Sequence, residues 1–339
     1  MNVSVARQSL DRPSLKRVSV IGLGLMGGSL ALALRRCGVA EHIVGCGRTE
    51  LLRRAQEMGA IDSGSVDAAE SVAESDFVFL CTPVETSIGL MARIAPGLRP
   101  GALVSDVGST KSAFAKAARE IFGASAHERV LPGHPLAGRE LSGLEHASAD
   151  LYAGCTWVLT PLEATEQGQL PHSSKGALSG ASATSLNSRE DCPTQAESRL
   201  EWATRPTGLT AAQYTLHAAL EAIGARVIFA TPEEHDHALA YTSHLPQMLS
   251  SALALTLGEV FGGDSPALQV HAGGLKSMLR LAGSDPAMWE QIAASNRANI
   301  AEALERLEDE LRKLRESLGS AEFRKRFEKA KEFAKFVKE

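Results

Sequence analysis

The chain has 339 residues, of which 44% are hydrophobic, and this is enough for two domains with full cores. Its net charge of -5 and aromatic content of 5% argue against a nucleic-acid partner, because nucleic-acid-binding surfaces are basic and often carry aromatic rings. No apolar run has the length of a membrane span, and segment 1–16 lacks the apolar region of a signal peptide. We therefore expect a cytoplasmic protein with no membrane or nucleic-acid partner.

The cysteines and histidines show no metal-site spacing. The five cysteines form no C-x-x-C pair, and their odd number is typical of a reducing compartment. His235, Asp236, His237 and His244 form a polar cluster, but no H-E-x-x-H or similar ligand spacing occurs. The sequence predicts no bound metal.

One stretch near the start has the order of a strand, a turn and a helix. Val18, Val20 and Ile21 form an apolar, β-branched run, and residues 29–34 are rich in alanine and leucine. Between them, Gly22 allows a tight turn, Gly24 lets the backbone approach a pyrophosphate, and Gly27 lets the helix pack closely on the strand. The stretch predicts a dinucleotide-binding loop whose cofactor contacts come from Gly22, Leu23, Gly24, Leu25, Met26 and Gly27.

Further apolar runs alternate with helical patterns. Strands are predicted over 42–47, 76–83, 102–107, 129–134 and 156–161, and helices over 51–58, 88–94 and 111–122. This alternation predicts a doubly wound parallel sheet of the Rossmann type. Ligands of such sheets bind beyond the carboxyl ends of the strands, which selects the segments after Leu80, Val104 and Leu131. Thr82 and Pro83 come after Leu80, at the end of the predicted strand 76–83, and are candidate cofactor contacts.

The composition changes after the last of these strands. Segment 163–208 is rich in Ser, Gly, Gln and Pro and has no periodicity, which predicts a disordered insertion. A helix over 209–223 and a strand over 226–229 then complete a dinucleotide-binding domain that spans 15–162 and 209–230.

The remaining residues, 231–339, have helical patterns only. They predict an all-helical C-terminal domain for substrate binding and dimerisation, so the fold class is α/β with a helical second domain. Residues 245–260 are nearly all apolar or small, which predicts a helix buried on most of its sides. The excess of apolar residues in this domain predicts a homodimer.

Two polar clusters lie at predicted strand ends. Ser109 and Thr110 lie between a strand and a helix, and the interpretation that they cap the helix is slightly favoured over a functional one. His134 lies between Gly133 and Pro135 at the carboxyl end of a predicted strand. Because catalytic groups occupy that position in such sheets, we favour a functional role for His134.

A third cluster lies in the helical domain. Lys276 and Arg280 are four residues apart, on one face of a helix that is otherwise small and apolar. Two cations there indicate an anionic ligand, since an arginine holds a carboxylate through two parallel hydrogen bonds. An ion pair with Asp285 or Glu290 is an equal alternative.

Together these clusters make the chain similar to the prephenate/arogenate dehydrogenase family of tyrosine biosynthesis, from about residue 18 to about residue 318 apart from the insertion. Five motifs in the same order carry the resemblance: residues 22–29, 106–111, 133–138, 243–246 and 279–289. The resemblance implies oxidative decarboxylation of prephenate or arogenate, with hydride transfer to NAD(P). It also implies that His134 deprotonates the ring hydroxyl and that Ser109 hydrogen-bonds either that histidine or the hydroxyl.

The resemblance implies substrate contacts as well. Arg280 is similar to the arginine that binds the ring carboxylate, and Lys276 stands where many members carry a second cation. His244 matches the histidine of the S-H-L-P motif, and Glu140 matches an acidic residue at the substrate entrance. Arg139 would suit the bare carboxylate of the pyruvyl side chain, which modestly favours prephenate over arogenate.

The second predicted strand departs from the pattern of an NAD site. It ends in Gly45-Cys46-Gly47-Arg48-Thr49, without the acid that binds the ribose hydroxyls. Arg48 is placed to meet a 2′-phosphate, so NADP is favoured, although some proteins without the acid use NAD.

Two other functions remain as alternatives. A β-hydroxyacid dehydrogenase shares the glycine motif and a helical second domain, but this chain lacks the Asn-x-x-x-Lys pattern of that family. A non-catalytic dinucleotide-sensing protein would not need Ser109, His134 and Arg280 together.

Overall fold

The computed structural model describes residues 13–138, 141–163, 208–263 and 265–337. Eight strands occur in these ranges: β1 Leu15–Ile21, β2 Ala40–Cys46, β3 Ser63–Ser65, β4 Phe77–Leu80, β5 Leu103–Asp106, β6 Gly133–Pro135, β7 Thr156–Leu159 and β8 Arg226–Phe229. The predicted insertion at 163–208 lies almost entirely outside the described residues.

The described residues form thirteen α-helices. The first seven are α1 Leu25–Arg36, α2 Thr49–Glu57, α3 Ala68–Val72, α4 Val84–Ile94, α5 Ser112–Phe122, α6 Ala126–Arg129 and α7 Ala211–Ala222. The others are α8 Pro232–Leu239, α9 Leu245–Phe261, α10 Gly273–Leu279, α11 Pro286–Ser295, α12 Arg297–Glu316 and α13 Ala321–Phe336. The chain divides within α8 into two compact units, Met1–His235 and Asp236–Glu339.

The first unit contains a parallel sheet with the strand order β3-β2-β1-β4-β5. Alternate residues of β1 and β4 face two different buried clusters, because side chains of a strand alternate between the faces of its sheet. Val20 and Phe79 lie in one cluster, and Ile21 and Leu80 lie in the other. The doubly wound parallel sheet is confirmed, and the strand order reverses between β1 and β4, where such sheets bind ligands.

A second sheet of three strands carries His134. In this sheet β6 is antiparallel to β7, and β7 is parallel to β8. The predicted strand over 129–134 is wrong in extent: Arg129 ends α6, and Val130 makes only a single bridge to Val104. Pro132 has no N–H to continue that pairing, so the chain leaves the parallel sheet before β6 begins.

The second unit consists of helices. Its buried core contains Ala240, Ile292, Ile300 and Ala303. The prediction that 245–260 is buried on most sides is wrong for the single chain: in α9 only Gln247 and Ser250 are buried, because so small a core covers only one face of a long apolar helix. No helix among the described residues has both the length and the apolar character needed to cross a membrane.

Candidate active site

The glycine turn between β1 and α1 has no room for larger residues at two positions. Gly22 has a φ of +97°, and a Cβ there would lie 2.6 Å from the carbonyl oxygen of Cys81. A Cβ on Gly27 would lie 2.0 Å from the carbonyl oxygen of Gly22. Because neither position carries a Cβ, the start of α1 can pack closely against the ends of β1 and β4.

Gly24 has different surroundings. A Cβ there would meet no other protein atom within 4 Å. Gly24 is also the N-cap of α1, with no side-chain hydrogen bond and no acidic residue in the first helical turn. The start of α1 is therefore open at Gly24 and has no acid in its first turn, which suits a dinucleotide pyrophosphate at the N–H groups of the helix end.

Residues that follow His134 support this turn, and the sequence patterns did not indicate them. The Tyr152 hydroxyl donates to the carbonyl oxygen of Met26 at 2.7 Å, and the Ser148 N–H donates to Ser29 Oγ at 2.9 Å. Burial raises the pKa of Tyr152 well above its ordinary value, so its hydroxyl remains a donor at neutral pH. Because Tyr152 and Met26 are 126 residues apart, no local motif could reveal the contact.

The other predicted cofactor contacts lie near the same sheet edge. The methyl group of Thr82 would be 2.7 Å from a Cβ on Gly22, and the Thr82 hydroxyl is 2.8 Å from that of Ser87. Pro83 is exposed and is the N-cap of α4. Arg48 is exposed and is the N-cap of α2, two residues after β2 ends.

A buried ion pair connects the end of β5 to β6. The side chains of Lys111 and Asp106 are fully buried and form a salt bridge. Lys111 Nζ also donates to the Gly133 carbonyl oxygen at 2.8 Å, and Asp106 Oδ1 accepts from the Gly133 N–H at 3.1 Å. Both partners therefore fix the backbone next to His134, and Ser109 lies in the loop between them.

The interpretation that Ser109 and Thr110 cap the following helix is wrong. Helix α5 begins at Ser112, its N-cap is Lys111, and no side-chain hydrogen bond caps it. The buried Lys111 side chain sets where the loop ends and the helix starts, so Ser109 lies before the capping position.

His134 is the central residue of β6, opposite Val158, rather than the last residue of a strand in the parallel sheet. Its Nδ1 lies 2.9 Å from Nε2 of His235 in α8. The two ring centroids are 5.1 Å apart, with the ring planes at 66°. His235 is fully buried, whereas His134 is partly exposed. The sequence spacing suggests His235 only as a possible metal ligand, which the ligand pattern excludes, and does not predict its contact with His134.

In the second unit, His244 is held by a buried amide. Asn296 Nδ2 donates to the Asp236 carbonyl oxygen at 2.7 Å and is 3.2 Å from His244 Nδ1. A carbonyl oxygen only accepts, so the amide orientation is fixed and His244 Nδ1 accepts the second hydrogen bond. Neutral His244 therefore carries its proton on Nε2, as a donor. The Trp289 ring lies edge-on to it at 5.8 Å.

Lys276 and Arg280 are both exposed in the second unit. Arg280 begins a 3₁₀ turn directly after α10 and keeps helical backbone angles, φ -54° and ψ -43°, so it follows Lys276 by about one turn. Lys276 also lines an apolar cavity of about 340 Å³ with His271 and Leu275.

Arg139 and Glu140 lie outside the described residues. Within the described ranges, no group of three or more His, Cys, Asp or Glu residues could hold a metal ion.

These features define a class of protein. A glycine turn of this geometry on a doubly wound sheet, followed by a helical second unit, is typical of NAD(P)-dependent dehydrogenases. The residues present fit a dinucleotide, because Gly24 leaves the end of α1 open.

Comparisons with known proteins give the particular family. Residues 30–176 match the family model "Prephenate dehydrogenase, nucleotide-binding domain", and residues 231–336 match "Prephenate dehydrogenase, dimerization domain". The chain belongs to the prephenate dehydrogenase family.

Individual relatives agree with this assignment. The cyclohexadienyl dehydrogenase of Zymomonas mobilis is 28% identical over 310 residues, which cover 90% of this chain and 89% of the relative. The crystal structure of Aquifex aeolicus prephenate dehydrogenase with hydroxyphenyl propionate and NAD+ has a TM-score of 0.73 and 29% identity, and the match covers 98% of both chains. Synechocystis arogenate dehydrogenase has a TM-score of 0.70 and 25% identity, over 95% of this chain and 99% of that one.

Proposed function

We propose that this chain catalyses the oxidative decarboxylation of prephenate to 4-hydroxyphenylpyruvate in tyrosine biosynthesis. The observation that carries the proposal is the match of both halves of the chain to the two domains of the prephenate dehydrogenase family. The relatives are named for prephenate, cyclohexadienyl and arogenate substrates, and Arg139 favours the substrate with a bare side-chain carboxylate.

His134 is the proposed base. Its Nδ1 lies 2.9 Å from His235 Nε2, and Nε2 of His134 is the nitrogen proposed to take the proton of the ring hydroxyl. When bound, NAD(P)+ accepts the hydride from the carbon that bears this hydroxyl. The ring carboxylate then leaves as carbon dioxide, its bonding electrons make the ring aromatic, and His134 returns the proton to the oxygen. His134 is thus neutral at the start and at the end of the cycle.

The other proposed roles concern binding. Ser109, in the loop fixed by Asp106 and Lys111, hydrogen-bonds His134 or the substrate hydroxyl. Arg280 binds the ring carboxylate, with Lys276 as a second cation and His244 as a donor through Nε2. These assignments follow the family motifs and the geometry within each unit.

The proposed cofactor is NADP+. Arg48 is exposed just beyond β2, at the position where an NAD site carries an acid, and a guanidinium there suits a 2′-phosphate.

The proposed assembly is a homodimer. The apolar residues of α9 that remain exposed, which include Leu255 and Val260, need a second surface to cover them. The matching dimerization domain spans this helix.

An assay of reduced cofactor at 340 nm tests the function. We expect turnover with prephenate and NADP+, weaker turnover with arogenate, and none with 3-hydroxyisobutyrate, the substrate of the β-hydroxyacid alternative. Absence of turnover with both prephenate and arogenate, using either cofactor, would contradict the proposal.

A further inference from the structure

His235 is a buried histidine that the proposed reaction does not use directly. It has no exposed surface, and its Nε2 lies 2.9 Å from Nδ1 of His134. Two facing imidazole nitrogens share one hydrogen bond when one carries a proton and the other a lone pair. The pair therefore has two neutral arrangements, which differ in where His134 keeps its proton.

Only one arrangement suits a base. If His235 donates, His134 Nδ1 accepts and His134 carries its proton on Nε2, where it cannot take another. If His134 Nδ1 donates, Nε2 keeps its lone pair and faces away from His235. The ring nitrogen that reacts is thus set by the hydrogen bond of the other nitrogen.

We infer that His235 is a positioning residue that accepts a hydrogen bond from His134 Nδ1 and so keeps on Nε2 of His134 the lone pair that acts as the base. The inference rests on the proposed function in assigning the base to His134. His235 accepts throughout the cycle: it also receives the Nδ1–H hydrogen bond when His134 is transiently protonated. Because His235 is buried, a second positive charge on it is disfavoured, and the proton stays on His134.

The start of α8 is built to hold His235 in place. The Glu234 carboxylate accepts from the Thr231 N–H at 2.8 Å, and the Glu234 N–H donates to Thr231 Oγ1 at 3.1 Å, which is a reciprocal capping box. The His235 N–H donates to the Thr231 carbonyl oxygen at 3.0 Å. Ser112 Oγ in turn donates to the Pro232 carbonyl oxygen at 3.2 Å, which fixes this turn to α5.

Three variants separate an acceptor role from a space-filling role. His235→Phe keeps a ring but removes the acceptor, His235→Gln restores an acceptor oxygen, and His237→Phe changes an exposed histidine of the same helix. We expect His235→Phe to lower kcat about 10–100-fold with little change in KM for prephenate or cofactor, which is typical when the partner of a functional histidine is lost. His235→Gln should recover most of kcat, and His237→Phe should match the wild type.

Two kinetic outcomes would overturn the inference. One is a kcat of His235→Phe within about twofold of the wild type. The other is a His235→Gln variant as slow as His235→Phe, which would mean that ring shape rather than the acceptor matters.

A measurement of the tautomer in the wild type does not depend on the folding of the His235 variants or on turnover. We expect ¹⁵N shifts of His134, assigned by their loss in His134→Asn, to show a protonated Nδ1 and a lone pair on Nε2 near neutral pH. The opposite tautomer would overturn the inference. If the wild type fails to oxidise prephenate, the proposed function fails, while this tautomer measurement still decides how the pair is arranged.

Discussion

At the scale of single residues, Arg48 determines which cofactor the chain is expected to use. Among the residues that the structure describes, no acidic side chain forms an ion pair with Arg48, whereas the nearby Arg53 forms ion pairs with Glu50 and Glu57. A 2′-phosphate would meet Arg48 through charge-assisted hydrogen bonds, each of which contributes about 1.5–3 kcal/mol.

We expect Arg48→Ala to raise KM for NADP+ by about tenfold or more and to leave KM for NAD+ nearly unchanged. Arg53→Ala is the matched control, since it removes an exposed arginine of α2 and should change neither constant. Steady-state kinetics at fixed ionic strength provide the test, and an equal effect of Arg48→Ala on both cofactors would exclude 2′-phosphate binding.

The sequence indicated residues that have a local pattern but missed those that act through distant contacts. His134 stands out because Gly133 and Pro135 flank it. Its partner His235 is 101 residues away. Asn296 is 52 residues from His244, and no spacing rule links an amide to a histidine at that distance.

At the scale of the elements, the strand–turn–helix of β1 and α1 uses its glycines for two different purposes. Gly27 is closed in by backbone, whereas Gly24 is open. The sequence motif predicts a packing role for Gly27 and a binding role for Gly24, and the surroundings of each glycine agree with that division.

This difference predicts opposite effects of one added methyl group. Gly27→Ala should lower the melting temperature markedly, because its Cβ would lie 2.0 Å from the Gly22 carbonyl oxygen and the backbone must move. Gly24→Ala should melt almost like the wild type but bind NADP+ at least tenfold more weakly, as measured by calorimetry. A Gly24→Ala protein with unchanged affinity would show that the pyrophosphate lies elsewhere.

The sequence also predicted elements with strong patterns and missed those without them. The apolar runs of β1, β4 and β5 are evident, whereas β3 consists of Ser63, Gly64 and Ser65 and joins the sheet only through its pairing with β2. The chain leaves the parallel sheet at Pro132, and the buried Lys111–Asp106 pair holds the Gly133 backbone at the start of β6. Hydrophobic periodicity cannot predict such tertiary contacts.

At the scale of the whole molecule, the apolar face of α9 is exposed in the single chain, and we expect the proposed dimer to cover it. Leu255 is 75% exposed and Val260 is 66% exposed. The expectation that this helix is buried on most sides fails for one chain. It is consistent with a dimer in which a second copy covers the face.

We expect the wild type to elute as a dimer in size-exclusion chromatography with light scattering. Leu255→Glu should shift it toward the monomer, because an unpaired carboxylate in an apolar interface is strongly unfavourable. Val66→Glu, which changes an exposed apolar residue of the first unit, is the control and should remain dimeric. A Leu255→Glu protein that stays fully dimeric would place the interface on another surface.

The central claim is that His134 carries the proton transfer of a prephenate dehydrogenase. The most direct measurement compares His134→Asn with the wild type for kcat at 340 nm and for the dissociation constants of prephenate and cofactor. We predict a kcat lower by about 10²–10⁴-fold, the usual contribution of a general base, with both dissociation constants within about twofold of the wild type. A kcat of His134→Asn that stays close to the wild-type value would contradict this account.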